Sequence, residues 1–231
     1  MRIFSILSAI FLGIIIFLTI NAEAESCQYE NFTVEKEQDL IFENEDIWLC
    51  GDILIDGHLV IKDSNLNVNR TLDLTTSEIR INPGGQLDII NTTITTSRYT
   101  LSDNISTAIS PFTLVSDAGN LSIYDSTIYY GMIWLVGGNA DITGLALDGF
   151  SMINYGIFSE DTNLTASGVN IRNYTLGLRS IGSEPDLESI YYYNCSTRMT
   201  QEWWITFSAL ESSTILPIEG FEVRQWNGEM L

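Results

Sequence analysis

Three segments of this chain share one eight-residue frame, and the frame decides the fold. They are Leu121–Ile128 (LSIYDSTI), Ala140–Leu147 (ADITGLAL) and Leu164–Ile171 (LTASGVNI). In each segment non-polar residues occupy offsets 0, +2 and +7, and Asp or Gly occupies offset +4. Further copies precede them at Leu59–Leu66 (LVIKDSNL) and Leu87–Ile94 (LDIINTTI), and a degenerate sixth copy is predicted to start at Leu187.

The spacing of the frame has a geometric explanation. Offsets 0 and +2 lie on the same face of a strand, because successive side chains point to opposite faces. The step from +2 to +7 is odd, so a straight strand would turn offset +7 to the other face, and a bend is needed between them. In every copy offset +4 holds a residue that tolerates left-handed φ. The predicted bend positions are Asp63, Asn91, Asp125, Gly144 and Gly168.

A second strand-like segment precedes each frame, and a turn-rich corner joins the two. These segments are Glu78–Ile81, Phe112–Val115, Met132–Val136, Tyr155–Phe158 and Leu176–Arg179. Each repeat therefore contains three strands and returns after about 20–30 residues. Stacked in parallel, such repeats predict an all-β fold, a right-handed parallel β-helix of about six rungs. The alternative is an antiparallel sandwich, but the fixed offsets and the missing hairpin signals argue against it.

On these repeats, residues 47–195 resemble the parallel β-helix repeats of the pectate-lyase-like superfamily. The Asn- and Gly-rich copies are most similar to those of exported surface proteins of archaea and bacteria. The resemblance concerns the fold, which different functions share, so it implies little about activity.

Four regions follow from these patterns. Residues 1–24 are predicted to be a signal peptide, because Arg2 precedes an uncharged apolar run and Ala22-Glu-Ala24 fits a cleavage site. An uncleaved anchor is the alternative, since the run is long enough to cross a bilayer. Residues 25–46 are predicted to cap the scaffold, and residues 47–197 to form the β-helix. Residues 198–231 are predicted to form a C-terminal β segment, either a cap or a truncated module similar to immunoglobulin-like surface modules.

Cysteines and sequons favour a compartment outside the cytoplasm. In an exported chain Cys27 and Cys50 are predicted to form a disulfide, which leaves Cys195 over. Eight Asn-x-Ser/Thr triplets are glycosylation candidates: Asn31, Asn69, Asn91, Asn104, Asn120, Asn163, Asn173 and Asn194. Turn asparagines and strand threonines also create such triplets by composition alone, so their occupancy stays open.

The chain is strongly acidic, with 30 Asp and Glu against 10 Lys and Arg and a formal net charge of −20. Such a charge repels nucleic acids and anionic lipids. We therefore expect no nucleic-acid partner, and a membrane contact only if the N-terminal segment stays uncleaved. The same charge also keeps a repetitive β protein soluble.

Residues suited to catalysis are few and scattered. His58 lies in Gly-His-Leu, whereas the hydrolase branch of the superfamily has Gly-His-Gly, and we expect it at a surface corner. Arg80 and Arg179 lie on equivalent predicted strands, as the base of a lyase would, but several repeats apart. Nearby acids are Glu78 for Arg80, and Glu184 and Asp186 for Arg179. We assign no catalytic residue.

Two groups could bind a ligand. Asp52, Asp56 and Asp63 offer oxygen ligands to Ca²⁺, but no calcium-binding motif contains them, so no metal or cofactor is assigned. Tyr191–Tyr193 with Trp203 and Trp204 could stack on sugars or close the end of the core.

The sequence as a whole predicts an exported cell-surface or envelope protein with a structural or interaction role. Its expected partners are envelope components or glycans. The alternatives are a polysaccharide lyase or hydrolase, and a glycan-binding module without catalysis.

Overall fold

A computed structural model of the chain describes residues 27–68, 77–96, 98–100, 107–109, 111–210 and 217–227. Within these ranges the regular structure is all β, and no helix occurs in them. It follows that the described part holds no helix long and apolar enough to span a membrane. The predicted signal peptide (residues 1–24) and the sequons at Asn69 and Asn104 lie outside the described residues.

The described strands, in chain order, are β1 (Phe32–Val34), β2 (Asp39–Glu43), β3 (Asp46–Leu49), β4 (Ile53–Ile55), β5 (His58–Lys62), β6 (Asn65–Val68), β7 (Ser77–Ile81), β8 (Gln86–Ile90), β9 (Thr93–Thr96), β10 (Arg98–Thr100), β11 (Thr107–Ile109), β12 (Phe112–Asp117), β13 (Asn120–Tyr124), β14 (Thr127–Tyr129), β15 (Gly131–Val136), β16 (Asn139–Thr143), β17 (Ala146–Glu160), β18 (Asn163–Ser167), β19 (Asn170–Ile181), β20 (Asp186–Glu188), β21 (Tyr191–Tyr193), β22 (Thr197–Leu210) and β23 (Pro217–Asn227).

Parallel pairing assembles most strands into two sheets. One sheet has seven strands in the order β2-β5-β8-β13-β16-β18-β20. The other has fourteen, with the path β1-β4-β7-β12-β15-β17-β14-β9-β6-β3 and with β19, β21, β22 and β23 continuing from β17. Strands β17 and β19 each run around a corner, so they join two sides of this sheet. Among the described strands only β10–β11 and β22–β23 pair antiparallel.

The chain visits three sides in turn. The first side contains β1, β4, β7, β12 and β15, the C-terminal parts of β17 and β19, and the start of β22. The second side is the seven-stranded sheet. The third side contains β3, β6, β9 and β14, the N-terminal parts of β17 and β19, and β21. This order of parallel strands is compatible with a parallel β-helix.

The apolar positions of the frame form the core. All residues at offsets 0, +2 and +7 of the five clear copies are buried, with at most 3% of their surface exposed. They align from strand to strand, as where Leu87 lies opposite Leu121 and Ile89 opposite Ile123. Full burial of one such aliphatic side chain contributes about 1.5–3 kcal/mol. The inward columns are therefore a main source of stability.

The backbone is left-handed at offset +4 of every copy. The φ angle is 51° at Asp63, 45° at Asn91, 46° at Asp125, 68° at Gly144 and 63° at Gly168. Asp, Asn and Gly adopt such angles at the lowest cost. The bend residues thus direct offset +7 back into the core.

A buried hydroxyl lies behind three of these bends. Ser64, Thr92 and Ser126 occupy offset +5, and each is almost fully buried. The hydroxyl of Ser126 donates to the carbonyl of Tyr124 at 2.7 Å, and that of Thr92 to the carbonyl of Ile90 at 2.8 Å. The oxygen of Ser126 also accepts the backbone N–H of Thr92 at 3.1 Å. These bonds give main-chain groups at the bend the partners that buried backbone requires.

The frame continues on the N-terminal side. Leu40 and Phe42 lie opposite the first two apolar residues of the copy at Leu59, and Asn44 has a φ of 58°. The described part of the predicted cap, residues 27–46 of 25–46, therefore contributes strands to both sheets.

The sixth copy begins two residues earlier than the sequence predicted. Leu187 lies opposite offset +2 of the preceding copy and Tyr192 opposite its offset +7, while left-handed φ falls at Ser189. The start is therefore Pro185, and the predicted start at Leu187 is wrong. The apolar pattern missed it because a proline occupies the place of the first aliphatic residue.

A disulfide and an aromatic cluster lie at the N-terminal end of the scaffold. Cys27 is bonded to Cys50. The rings of Tyr29, Phe32 and Phe42 are 5.4–6.2 Å apart between centroids. A structural disulfide is typical of proteins outside the cytoplasm.

At the C-terminal end β22 extends the first side. Residues Thr197–Glu202 of β22 pair in parallel with β19, and β22 pairs antiparallel with β23. Cys195, just before β22, carries a free, half-buried thiol. Residues 211–216 and 228–231 of the predicted C-terminal segment lie outside the described residues.

Candidate ligand-binding site

One column of outward residues on the first side stands out from the rest of the surface. Strand register aligns Leu54, Arg80, Val115, Trp134, Phe158 and Arg179. We call this set the outward column. It combines aromatic rings with guanidinium groups on neighbouring strands.

The aromatic part of the outward column is tightly packed. The ring centroids of Trp134 and Phe158 are 4.6 Å apart with planes tilted by 38°, and Tyr155 meets Phe158 edge-on at 6.0 Å. The guanidinium carbon of Arg179 lies 5.6 Å from the centroid of Phe158, within the range of a cation–π contact. Phe158 is consequently only 6% exposed, although it points away from the core.

Beside Trp134 the surface forms a hollow of about 400 Å³, which we call the Trp134 hollow. It is lined by Glu78, Arg80, Thr113, Val115, Asp117, Met132, Trp134 and Val136. Its cause is the short side chains on β12, which lies between Arg80 on β7 and Trp134 on β15. Neighbouring strands are about 4.8 Å apart, so these two walls are about 10 Å apart at their bases.

Charges line one wall of the Trp134 hollow. The Nε of Arg80 donates to a carboxylate oxygen of Glu78. Its Nη1 lies 3.8 Å from Oδ2 of Asp117, longer than a hydrogen bond, and the Asp117 side chain is half exposed. Two carboxylates and one guanidinium therefore face the apolar side chains of Val115, Met132, Trp134 and Val136, and both Asp117 and Arg80 keep hydrogen-bonding capacity for a ligand.

Comparison with protein-family models, curated proteins and solved structures gave no match, so the site is interpreted from its own residues.

The two arginines considered for lyase chemistry belong to the outward column but do not meet. Three strands separate Arg80 from Arg179. Arg179 forms a two-pronged pair with Glu202, Nε to Oε1 at 2.9 Å and Nη2 to Oε2 at 3.0 Å. The acidic partner of Arg179 is therefore Glu202 on β22. It is not Glu184 or Asp186, the two nearby acids that the sequence suggested.

His58 lies at a corner of the second side between two carboxylates. Its Nδ1 is 3.2 Å from Oδ1 of Asp39, and its Nε2 is 2.9 Å from Oδ2 of Asp88. The ring thus links three adjacent strands, β2, β5 and β8. It also borders a second hollow of about 560 Å³ that carries Glu35, Glu37, Asp39 and Asp56.

The three aspartates considered for Ca²⁺ lie apart, each bonded to a different neighbour. Oδ1 of Asp52 accepts the backbone N–H of Glu78 at 2.8 Å. Oδ1 of Asp56 accepts from Asn82 at 2.8 Å, and Oδ1 of Asp63 accepts from Asn91 at 2.7 Å. No group of three His, Cys, Asp or Glu arranged for a metal ion occurs within the described residues.

The tyrosines considered for sugar stacking point in different directions. Tyr191 and Tyr193 are 62% and 74% exposed, whereas Tyr192 turns inward and packs against the core. Trp203 is 36% exposed. The side chain of Trp204 lies outside the described part.

Several sequon asparagines build hydrogen-bonded stacks along the corners. Asn194 donates to Asn173 at 2.7 Å, and Asn173 donates to Asp148 at 2.8 Å. A second stack joins Asn163 to Asn139 at 3.2 Å and Asn139 to Asn120 at 3.0 Å. Asn91 similarly donates to Asp63. These side chains therefore have a structural role, whether or not a glycan is attached.

Sequence reasoning missed Trp134 and Phe158 as site residues. Both lie in predicted strands, but nothing in either strand marks the residue as part of a site. Aligning the five predicted strands in register would have brought Arg80, Val115 and Trp134 side by side.

Proposed function

We propose that this chain is an exported cell-surface or envelope protein that binds a partner through the Trp134 hollow. Its scaffold is a right-handed parallel β-helix of the pectate-lyase-like kind, with seven coils (rungs) from β1 to β21, one more than the sequence predicts because the cap supplies the first. The observation that carries the proposal is Trp134 itself, an aromatic ring that lines an open hollow and is supported from behind by Phe158.

Rigidity of the scaffold supports a binding role. The outward column rests on inward columns of fully buried aliphatic residues, and the asparagine stacks tie successive coils together at the corners. A ring that packs against Phe158 on one side loses little conformational freedom when a ligand binds on its open side. The hollow is thus organised before the ligand arrives.

The N-terminal region and the cysteines support a compartment outside the cytoplasm. The signal-like segment, the disulfide between Cys27 and Cys50 and the sequons all fit an extracytoplasmic protein. A net charge of −20 makes polyanions unfavourable partners.

A second candidate is glycan binding at the C-terminal edge, favoured by the exposure of Tyr191 and Tyr193 on strand β21. Exposed tyrosines on an edge strand offer flat faces to sugars or to another protein. The same experiment distinguishes the two surfaces.

The test is co-sedimentation of the purified chain with envelope fractions of its source cells, together with fractionation to locate the native protein. Trp134→Ala should reduce envelope binding at least tenfold. Trp48→Ala is the matched control, because Trp48 is also half-buried and lies on the third side. Loss of binding in Tyr193→Ala alone would support the second candidate. Native protein found only in the cytosol would contradict both.

A further inference from the structure

We infer that the ligand of the Trp134 hollow is a neutral saccharide. This inference rests on the proposed function and names the chemical class of the partner. It is carried by the apolar face, the polar wall and the local charge of one hollow.

Trp134 supplies the apolar face. Phe158 on β17 covers one side of the indole, and the hollow over β12 lies on the other side. Thr113 and Val115 form the floor on β12, and Met132 and Val136 flank Trp134 on β15. A sugar ring presents a face of C–H bonds that packs on such a surface, as aromatic and apolar side chains do with one another.

The wall of Glu78, Arg80 and Asp117 supplies matching polar groups. A carboxylate accepts two hydrogen bonds from adjacent hydroxyls, and a guanidinium donates to hydroxyl or ring oxygens. Asp117 keeps this capacity, because its Oδ2 lies 3.8 Å from Nη1 of Arg80, beyond hydrogen-bond distance, and its side chain is half exposed. A purely apolar ligand would leave this wall without partners, which is unfavourable.

Charge distinguishes saccharide classes. The wall holds two carboxylates and one guanidinium, and the chain as a whole carries −20, so a uronic acid or a sulfated sugar is repelled. A cationic peptide would be attracted by the carboxylates, but its charged groups would have to compete with Arg80, which already pairs with Glu78 and lies 3.8 Å from Asp117. A ligand with many hydroxyls and no net charge avoids both conflicts.

The size of the hollow limits the ligand. A volume of about 400 Å³ is in the range of small-molecule sites, so the hollow holds a short part of a glycan. An extended polymer would be recognised at one point of its length or at an end.

The first arm of the experiment is calorimetric titration with neutral gluco-, galacto- and manno-oligosaccharides, and with uronic-acid oligomers of similar length, at low salt. We expect at least one neutral series to bind and the uronic-acid oligomers to bind at least tenfold more weakly. Trp134→Ala should weaken binding at least tenfold, and Asp117→Asn severalfold. Trp48→Ala should leave it unchanged.

The second arm does not depend on the choice of sugars. Periodate cleaves vicinal diols, so oxidised envelopes should lose their Trp134-dependent binding, whereas protease-treated envelopes should keep it. Envelope binding that requires Trp134, survives periodate and is lost after protease treatment would overturn the saccharide while leaving the proposed function intact. Envelope binding that Trp134→Ala leaves unchanged would overturn both the saccharide and the proposed function.

Discussion

The ring of Phe158 supports the ring of Trp134 from the neighbouring strand, with 4.6 Å between their centroids. Arg179 lies over the ring of Phe158, and Glu202 holds the guanidinium of Arg179 with two hydrogen bonds. A chain of contacts therefore leads from β22 to the wall of the hollow. Phe158, in the middle of this chain, points away from the core but is as buried as a core residue.

Replacing Phe158 tests this support. Phe158→Ala should lower the free energy of unfolding by about 3 kcal/mol, because it removes a buried aromatic ring and leaves a gap behind Trp134. Phe158→Leu, which keeps most of the volume, should cost less than about 1.5 kcal/mol. Urea unfolding followed by circular dichroism measures both values. A loss below about 1 kcal/mol for the alanine variant would mean that the ring is not packed as described.

Tyr174 and Tyr192 both point inward, and comparing them shows how much a hydrogen-bonded buried hydroxyl contributes to stability. The hydroxyl of Tyr174 donates to the carbonyl of Gly131 at 2.6 Å, whereas that of Tyr192 is buried without a partner among the described residues. Tyr174→Phe should cost about 1–2 kcal/mol, because it leaves a buried carbonyl unpaired. Tyr192→Phe should change stability by less than about 0.5 kcal/mol at neutral pH. Equal losses in urea unfolding would contradict the assignment of the bond to Tyr174.

The same tyrosines predict a loss of stability in alkali. Burial raises the pKa of Tyr192 to about 12 and the pKa of Tyr174 well above its usual value. In the unfolded chain both ionise near pH 10, so their contribution is fully present below pH 10 and is lost as the pH rises towards the folded values. For Tyr192 the loss should reach about 2 kcal/mol by pH 12.

Urea unfolding between pH 9 and pH 12 checks this prediction. The stability of Tyr192→Phe should decline less steeply than that of the unchanged chain, with the curves separating above pH 10. Parallel curves over the whole range would show that Tyr192 does not contribute.

A glycine bend tests the geometry of the frame. Gly168 has a φ of 63°, and a Cβ added there would meet its nearest atom, the backbone N of Gly144, at 3.7 Å, so space is not the restriction. Gly168→Asn should cost less than about 1 kcal/mol, since Asn adopts left-handed φ. Gly168→Val should cost about 2 kcal/mol or more, because a β-branched residue resists this conformation. Thermal unfolding compares the two, and equal costs would contradict a left-handed bend.

The repeating part of the fold could be predicted from the sequence, and two residues of one repeat show why. A bend residue such as Asn91 and a core residue such as Ile94 are set by local chain geometry, so their spacing is visible in one repeat. The frame in the cap was not predicted, because the outward Ile41 on β2 is also apolar and hides the alternation of Leu40 and Phe42. Pro185 hid the true start of the last copy.

The Trp134 hollow could not be read from any single repeat. It exists because Val115 is short where Arg80 and Trp134 are long, and the three residues come from three different coils. Variable insertions separate these coils in sequence, so only the strand register brings them together. The partner of Arg179 was missed for the same reason, because Glu202 lies on the next strand of the sheet and not in the corner.

Oxidative footprinting with and without envelope fractions tests the central claim most directly. Met132 and Trp134 line the hollow and are readily oxidised, while Tyr191, Tyr193 and Trp203 report on the C-terminal edge. We predict that binding protects Met132 and Trp134 severalfold and leaves the edge residues unchanged. Protection confined to Tyr191, Tyr193 and Trp203, or no protection at Trp134 while the chain is bound, would contradict binding through the first side.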